Sequence, residues 1–333
     1  MLDQSKIKRI VAYGCSFTAA TETAEAEMWG ISEEELTSLK EKYPYAGEEY
    51  RKIEKEASLK IEKDYLTWLD MKQTREYHNS YIKFLADKIG VPWVNKARPG
   101  SSNRNSIFRL NFDLFENNLE PGDLVIIGLT TPERLFWLQS FSKVEDRHRV
   151  LNYSENEQGD PAIEDRLNKE FNPISSLYEL YHTVNYLDSL SKQLEEKGIT
   201  LIQIPVINNV VQLLNKCRKY VDSQRHIPYD KEGYDPDKIL AMFESLTDLN
   251  SFYNIWSMFD VDKMITKGDP RIHGFRHPKK IAHQDYADYL YDVLILEKFE
   301  NPPSSVNGGV PFTAMTLKQK LENLRLQDPF IYD

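Results

Sequence analysis

Three short apolar runs constrain this 333-residue chain more than any other feature. Residues 7–13 (IKRIVAY), Asp123–Leu129 (DLVIIGL) and 200–206 (TLIQIPV) are near-continuously apolar and bounded by Gly or Pro. Runs of that length and composition read as strands of a parallel sheet, buried on both faces. Between them lie segments with helical spacing. Residues 80–89 (SYIKFLADKI) end at a C-cap glycine, Gly90. A second segment leads from the turn at 98–103 (RPGSSN) towards Phe115, and a third covers 175–197 and stops at Gly198. A shorter strand falls within 91–97. Residues 283–299 read as a last helix with Tyr286, Ala287, Leu290 and Val293 along one side. Strands alternating with helices specify a three-layer α/β/α, flavodoxin-like parallel sheet of about five strands.

Two stretches interrupt this rhythm. Residues 21–76 hold 15 acidic and 9 basic side chains, so a net −6 of the chain's −10 sits there. Ser32 followed by three glutamates and the charge pairs of 50–56 (YRKIEKE) favour helix, so this stretch is expected to be a helical insertion beside the sheet, in the manner of a lid. Residues 141–173 are polar and expected to form an irregular loop. After residue 300, NPPSSVNGGVP is a linker by composition, followed by a helical pattern at 317–326 and an apolar end. The expected organisation is one α/β domain over 1–300, carrying the insertion at about 21–76, and a linker and tail over 301–333. That tail either wraps back over the body or offers Phe330, Ile331 and Tyr332 to a protein partner or a second copy.

Composition excludes several classes. With 42 basic against 52 acidic residues and a pI near 5.4, a general grip on nucleic-acid phosphates or an anionic membrane is not expected. No apolar run approaches the ~20 residues of a membrane-spanning helix, and the polar N-terminus shows no signal-peptide pattern. A soluble, cytoplasmic protein is therefore expected. Two cysteines, Cys15 and Cys217, are too few for a disulfide framework or a cysteine zinc site. The sequence contains no phosphate-binding loop, dinucleotide fingerprint or zinc-protease motif, so neither a cofactor nor a metal is expected.

The residues with chemical potential lie at element ends. Gly14-Cys15-Ser16-Phe17-Thr18 follows the first strand directly, where parallel sheets build ligand sites. Ser16 is either a reactive hydroxyl or an N-cap, and Cys15 either a rival nucleophile or an inert buried thiol. A serine nucleophile needs a base. His277 precedes Pro278, which keeps it out of a helix interior and projects it from a loop at a helix start. His283, six residues on, either buttresses that site or packs. Arg134 either meets an anionic substrate or pairs with a neighbouring carboxylate. Arg98, Arg104, Arg134, Arg271 and Arg276 all fall near these motifs and suggest a locally basic site.

The order of these blocks resembles the SGNH, or GDSL, hydrolase superfamily, especially the divergent branch found in tailed phages. GCSFT matches the serine block, with Cys15 in the usual Asp position. Gly100 in ARPGSSN matches the glycine block, and Gly128-Leu129-Thr130 matches part of the G-x-N block. HPKKIAHQDYA, beginning at His277, is similar to the H-P-x-x-x-x-H-x-x-[WY]-A form. The resemblance covers residues 7–18 and 77–299. It implies acyl transfer, with Ser16 attacking an ester carbonyl and His277 taking its proton. The Ser16 and Gly100 N–H groups would hold the oxyanion, with a side chain from Thr130 or Asn103, the latter being otherwise a helix cap. The family places an Asp two or three residues before the histidine. Here those positions are Gly274 and Phe275, and the nearest upstream carboxylate is Asp269. The implied substrate is an ester such as an acetylated carbohydrate or a small acyl ester. The alternative is a weak or inactive SGNH-fold module serving as a binding or structural part of a larger viral assembly, which would be virion-associated.

Overall fold

The structure, a computed structural model, describes residues 2–42, 48–61, 65–130, 134–138, 148–152, 173–206 and 277–296. Its strands are β1 (Arg9–Tyr13), β2 (Trp93–Asn95), β3 (Asp123–Leu129), β4 (Arg134–Leu138), β5 (His148–Asn152) and β6 (Thr200–Pro205). Four of them form a parallel sheet in the order β2-β1-β3-β6, with Val11 opposite both Val94 and Val125, and Val125 opposite Leu201.

Successive side chains of a strand point to opposite faces, so an apolar run feeds two cores at once. Ile10, Ala12, Leu124, Ile126, Ile202 and Ile204 face one core, which α6 (Tyr81–Ile89) and α9 (Lys280–Leu294) cover with Tyr81, Leu85, Tyr286 and Leu290. The intervening Val11, Tyr13, Val125, Ile127 and Leu201 face the other, under Leu110 of α7 (Asn103–Phe115) and Val184 and Leu187 of α8 (Pro173–Glu195). Each fully buried aliphatic side chain contributes about 1.5–3 kcal/mol relative to exposure. This is the three-layer α/β/α arrangement, with four sheet strands among the described residues. At the amino-terminal edge Arg9 donates to Asp123 from Nε at 2.9 Å, tying the two central strands together.

The carboxyl edge of the sheet is packed without slack. Thr18, in the short helix α1 (Ser16–Ala19), rests its Oγ1 against Gly14 and Gly128 and shares a 3.2 Å hydrogen bond with Tyr81 Oη. A methyl group on Gly128 would overlap that Oγ1 outright and stand 3.2 Å from Tyr81 Oη and 3.1 Å from Val206. Glycine at 14 and 128 is therefore a requirement of close approach.

The acidic stretch folds into α2 (Glu25–Trp29), α3 (Glu33–Lys42), α4 (Glu48–Ile61) and α5 (Tyr65–His78) around a small core of Ala24, Met28, Trp29, Leu36 and Trp68. Ser32 and Glu35 form a reciprocal capping box at the start of α3, each accepting the other's backbone N–H, at 3.1 and 2.8 Å.

Two expectations need correction. Residues 148–152, inside the stretch read as irregular, form β5, which pairs antiparallel with β4 from Arg134↔Asn152 to Leu138↔His148. A five-residue ribbon is fixed by a partner distant in sequence, so its local signal is weak. Helix α9 begins at Lys280, not His283, because extended backbone ends at Lys279, directly after Pro278. The tail at 301–333 lies outside the described residues.

Candidate active site

Strand order alone brings the candidate loops together. Ser16 follows β1, Gly100 follows β2 and Thr130 follows β3, and these three strands are neighbours with their carboxyl ends on one edge. Ser16 is the first residue of α1, behind an extended Cys15 that makes no side-chain cap bond. Beyond α1 the chain turns sharply. Ala20 ends the helix in the left-handed region and Glu22 also has positive φ, at 73°. Such a backbone costs roughly 1–3 kcal/mol for a residue other than glycine and persists only where its surroundings hold it.

The hold comes from α5. The Glu22 N–H donates to Glu76 Oε1 at 2.7 Å, and Asn79 Nδ2 donates to Thr23 O at 3.2 Å. A net hydrogen bond contributes about 0.5–1.5 kcal/mol, more where the acceptor is charged, which is of the size of the strain at Glu22. So fixed, the fully buried Glu22 carboxylate meets the histidine that arrives from the far end of the sequence. His277 Nδ1 lies 2.8 Å from Glu22 Oε1, and its Nε2 lies 3.0 Å from Ser16 Oγ. A carboxylate only accepts, so Nδ1 carries the proton and Nε2 presents its lone pair to the Ser16 hydroxyl. The imidazole also packs against the Phe17 ring at 5.5 Å between centroids, and its side chain is 16% exposed. The arrangement is open to solvent at the histidine and closed behind it.

Behind Glu22 lies a buried charge cluster. Lys72 on α5 donates to Glu25 Oε1 at 2.6 Å and to Glu54 Oε1 at 3.0 Å. Burial alone would lower the Lys72 ammonium, but the Glu25, Glu76 and Glu54 carboxylates outweigh it and hold it well above the ordinary lysine range. Burial pushes the Glu76 carboxyl from 4.5 up to about 7, against the pull of Lys72 and of its bond to the Glu22 N–H. The folded protein therefore binds this proton more tightly than the unfolded chain. The resulting stability is fully present below pH 4.5 and is lost as pH rises to about 7. The span amounts to about 3 kcal/mol. Urea unfolding at pH 5 and pH 8 is expected to show this loss in the wild type and to miss most of it in Glu76→Gln.

The other expected site residues fall as follows. Gly100 is exposed, with φ +74°, in the turn after β2. Asn103 is not the helix cap, which is Ser102 accepting from the Asn105 N–H at 3.1 Å. Instead the Asn103 amide clamps the end of β3, accepting the Thr130 N–H at 2.8 Å and donating to Thr130 O at 3.1 Å. The Thr130 hydroxyl is buried and has no hydrogen-bond partner among the described residues. His283 packs, fully buried, against the Tyr81 ring and accepts the Tyr81 N–H at 3.3 Å. Arg104 is held by Glu179 at 2.5 Å, so its charge is locally balanced. Arg134 opens β4 opposite Asn152, and the expectation for its side chain lies outside the described residues, as do Asp269, Arg271 and Arg276. Among the described residues the carboxylate at His277 Nδ1 is that of Glu22. Sequence reasoning missed Glu22 and Glu76. One signal was present: Glu22 is the first carboxylate after Ser16 and lies in an Ala- and Thr-rich turn (AATETA) unlike the charged helices beyond it. Among the described residues no cluster of three or more His, Cys, Asp or Glu is placed to hold a metal ion, and no helix is long and apolar enough to cross a membrane.

No protein-family model matches the chain, and no curated protein matches it in sequence. Among solved structures it is similar to the psychrotrophic esterase EstA from Pseudoalteromonas sp., at 13% identity over 86% of this chain and 96% of that one, with a TM-score of 0.36. It is also similar to a member of the lipolytic G-D-S-L family from Veillonella parvula DSM 2008, at 8% identity over 87% and 99%, with a TM-score of 0.37. A third is LAE5, an alpha/beta hydrolase enzyme from the metagenome of Lake Arreo, Spain, at 12% identity over 85% and 93%, with a TM-score of 0.38.

Proposed function

We propose that the protein is a serine hydrolase of SGNH type that cleaves a carboxylic ester of a small acyl group, with Ser16, His277 and Glu22 as its triad. One observation carries this reading: the unbroken contact from Ser16 Oγ to His277 Nε2 at 3.0 Å and from His277 Nδ1 to Glu22 Oε1 at 2.8 Å. A nucleophile within hydrogen-bond reach of a base, itself oriented by a third group, is the arrangement that acyl transfer needs.

In the reaction, Ser16 Oγ attacks the ester carbonyl carbon as its proton passes to His277 Nε2. The imidazolium is stabilised by Glu22, which keeps its charge and takes no proton. His277 then returns the proton to the leaving alkoxide, and the acyl group stays on Ser16. Water attacks that acyl-enzyme with the same histidine as base, releasing the acid and restoring the hydroxyl. The tetrahedral oxyanion is assigned to the Ser16 and Gly100 N–H groups and the Thr130 hydroxyl. Thr130 is preferred to Asn103 because the Asn103 amide is engaged with the Thr130 backbone, whereas the Thr130 hydroxyl has no partner among the described residues.

The purified chain is expected to hydrolyse p-nitrophenyl acetate and to be labelled by a fluorophosphonate probe on the tryptic peptide that contains Ser16. Labelling that persists in Ser16→Ala, or none in the wild type, would overturn the assignment.

A further inference from the structure

Five of the groups behind His277 belong to the helical insertion or its entry, not to the sheet scaffold. Glu22 stands at the entry, Glu25 on α2, Glu54 on α4, and Glu76 with Lys72 on α5. Glu76 reaches the triad through the backbone. Glu76 Oε1 accepts the N–H of Glu22, the residue whose positive φ aims its carboxylate at His277. Lys72, shared between Glu25 and Glu54, faces the same carboxylate from its own helix and fixes the surrounding charges.

We propose, resting on the triad reading above, that Glu76 is a positioning residue for that triad: it holds Glu22 in its left-handed conformation, so the insertion sets the alignment of His277. What matters in this role is an oxygen acceptor at the right reach, not a negative charge. The carboxyl titrates near neutrality, at about 7, so a neutral acceptor at this place is chemically reasonable. If Glu76 lets go, the strained turn relaxes and Glu22 moves off Nδ1. Misplacement of a catalytic group by an ångström costs about 10²-fold in rate.

Three variants separate acceptor from charge. Glu76→Gln keeps an acceptor oxygen at the same reach without the charge. Glu76→Asp keeps the charge beside Lys72 but withdraws the oxygen by one methylene. Glu76→Leu fills the volume and offers neither. With p-nitrophenyl acetate, Glu76→Leu and Glu76→Asp are expected to lose about 10²-fold in kcat with KM unchanged. Glu76→Gln is expected to keep most of the wild-type kcat. A second readout needs no turnover: the low-field proton resonance of His277 Nδ1–H, assigned by its absence in His277→Ala. It is expected to survive in Glu76→Gln and to be lost or displaced in the other two. An active Glu76→Asp with an unmoved resonance would overturn the proposal, as would a Glu76→Gln that fails alongside Glu76→Leu. Should Glu76→Leu not fold, the Asp and Gln pair still decides. If the wild type shows no turnover, the hydrolase reading fails while the resonance still tests Glu76.

Discussion

A chain carrying both Ser16→Ala and His277→Ala is expected to hydrolyse ester no more slowly than either single variant. Each single change is expected to cut kcat by about 10⁴–10⁶, and the pair to add almost nothing. The reason lies in the contact at 3.0 Å between Ser16 Oγ and His277 Nε2. In the proposed mechanism the histidine first takes the serine proton, and the water it later activates attacks an acyl group that only Ser16 can carry, so every proton it moves depends on the serine. Removing either one removes the same event. The residual rate of roughly 10³–10⁴ over water belongs to groups that remain, the backbone donors and the substrate-binding surface. Steady-state kinetics on the three variants, normalised to protein shown folded by circular dichroism, measure this directly. Fully additive losses would mean that Ser16 and His277 act in separate steps, which would break the mechanism.

The second large effect is expected at Glu22. Glu22→Gln keeps the shape of the side chain and places an amide opposite His277 Nδ1. Where that amide presents N–H, Nδ1 must accept, Nε2 takes the proton, and the face towards Ser16 becomes a donor instead of a base. A wrong tautomer of this kind costs on the order of 10⁴ in turnover in a serine protease of known mechanism. The loss is expected in kcat at unchanged KM, because in the proposed mechanism substrate meets Ser16 and the oxyanion donors, not Glu22. Glu22→Gly tests the backbone separately. It relieves the positive φ of 73° but deletes the carboxylate, so it is expected to fold at least as stably as the Gln variant and to be as inactive. A Glu22→Gln enzyme within about tenfold of wild type would leave the carboxylate without a catalytic role.

Much of this architecture is legible in the sequence, and the limits of legibility have physical causes. The runs that became β1, β3 and β6 announce themselves because a strand buried on both faces is apolar at most of its positions. Ser16 and His277 are legible as candidates because each lies where an element must begin or end, after Gly14 and before Pro278. Glu22 is not, since 15 carboxylates crowd residues 21–76. What singles it out is a left-handed backbone at a residue other than glycine and a partner 255 positions away. Neither leaves a local pattern. The same holds for Asn103, whose side chain reads as a cap by position and spends itself on Thr130, 27 residues on.

Ser16 and its base are separated by 261 residues. At roughly 5–20 residues per second of synthesis, the histidine leaves the ribosome some tens of seconds after the serine. During that interval the nascent chain carries the hydroxyl and the turn at Glu22 but no base. On the proposed mechanism, a newborn or truncated polypeptide is expected to lack the histidine's contribution, which begins only when α9 docks on the sheet and delivers His277. On the proposed mechanism, completion of the fold is itself the activation step.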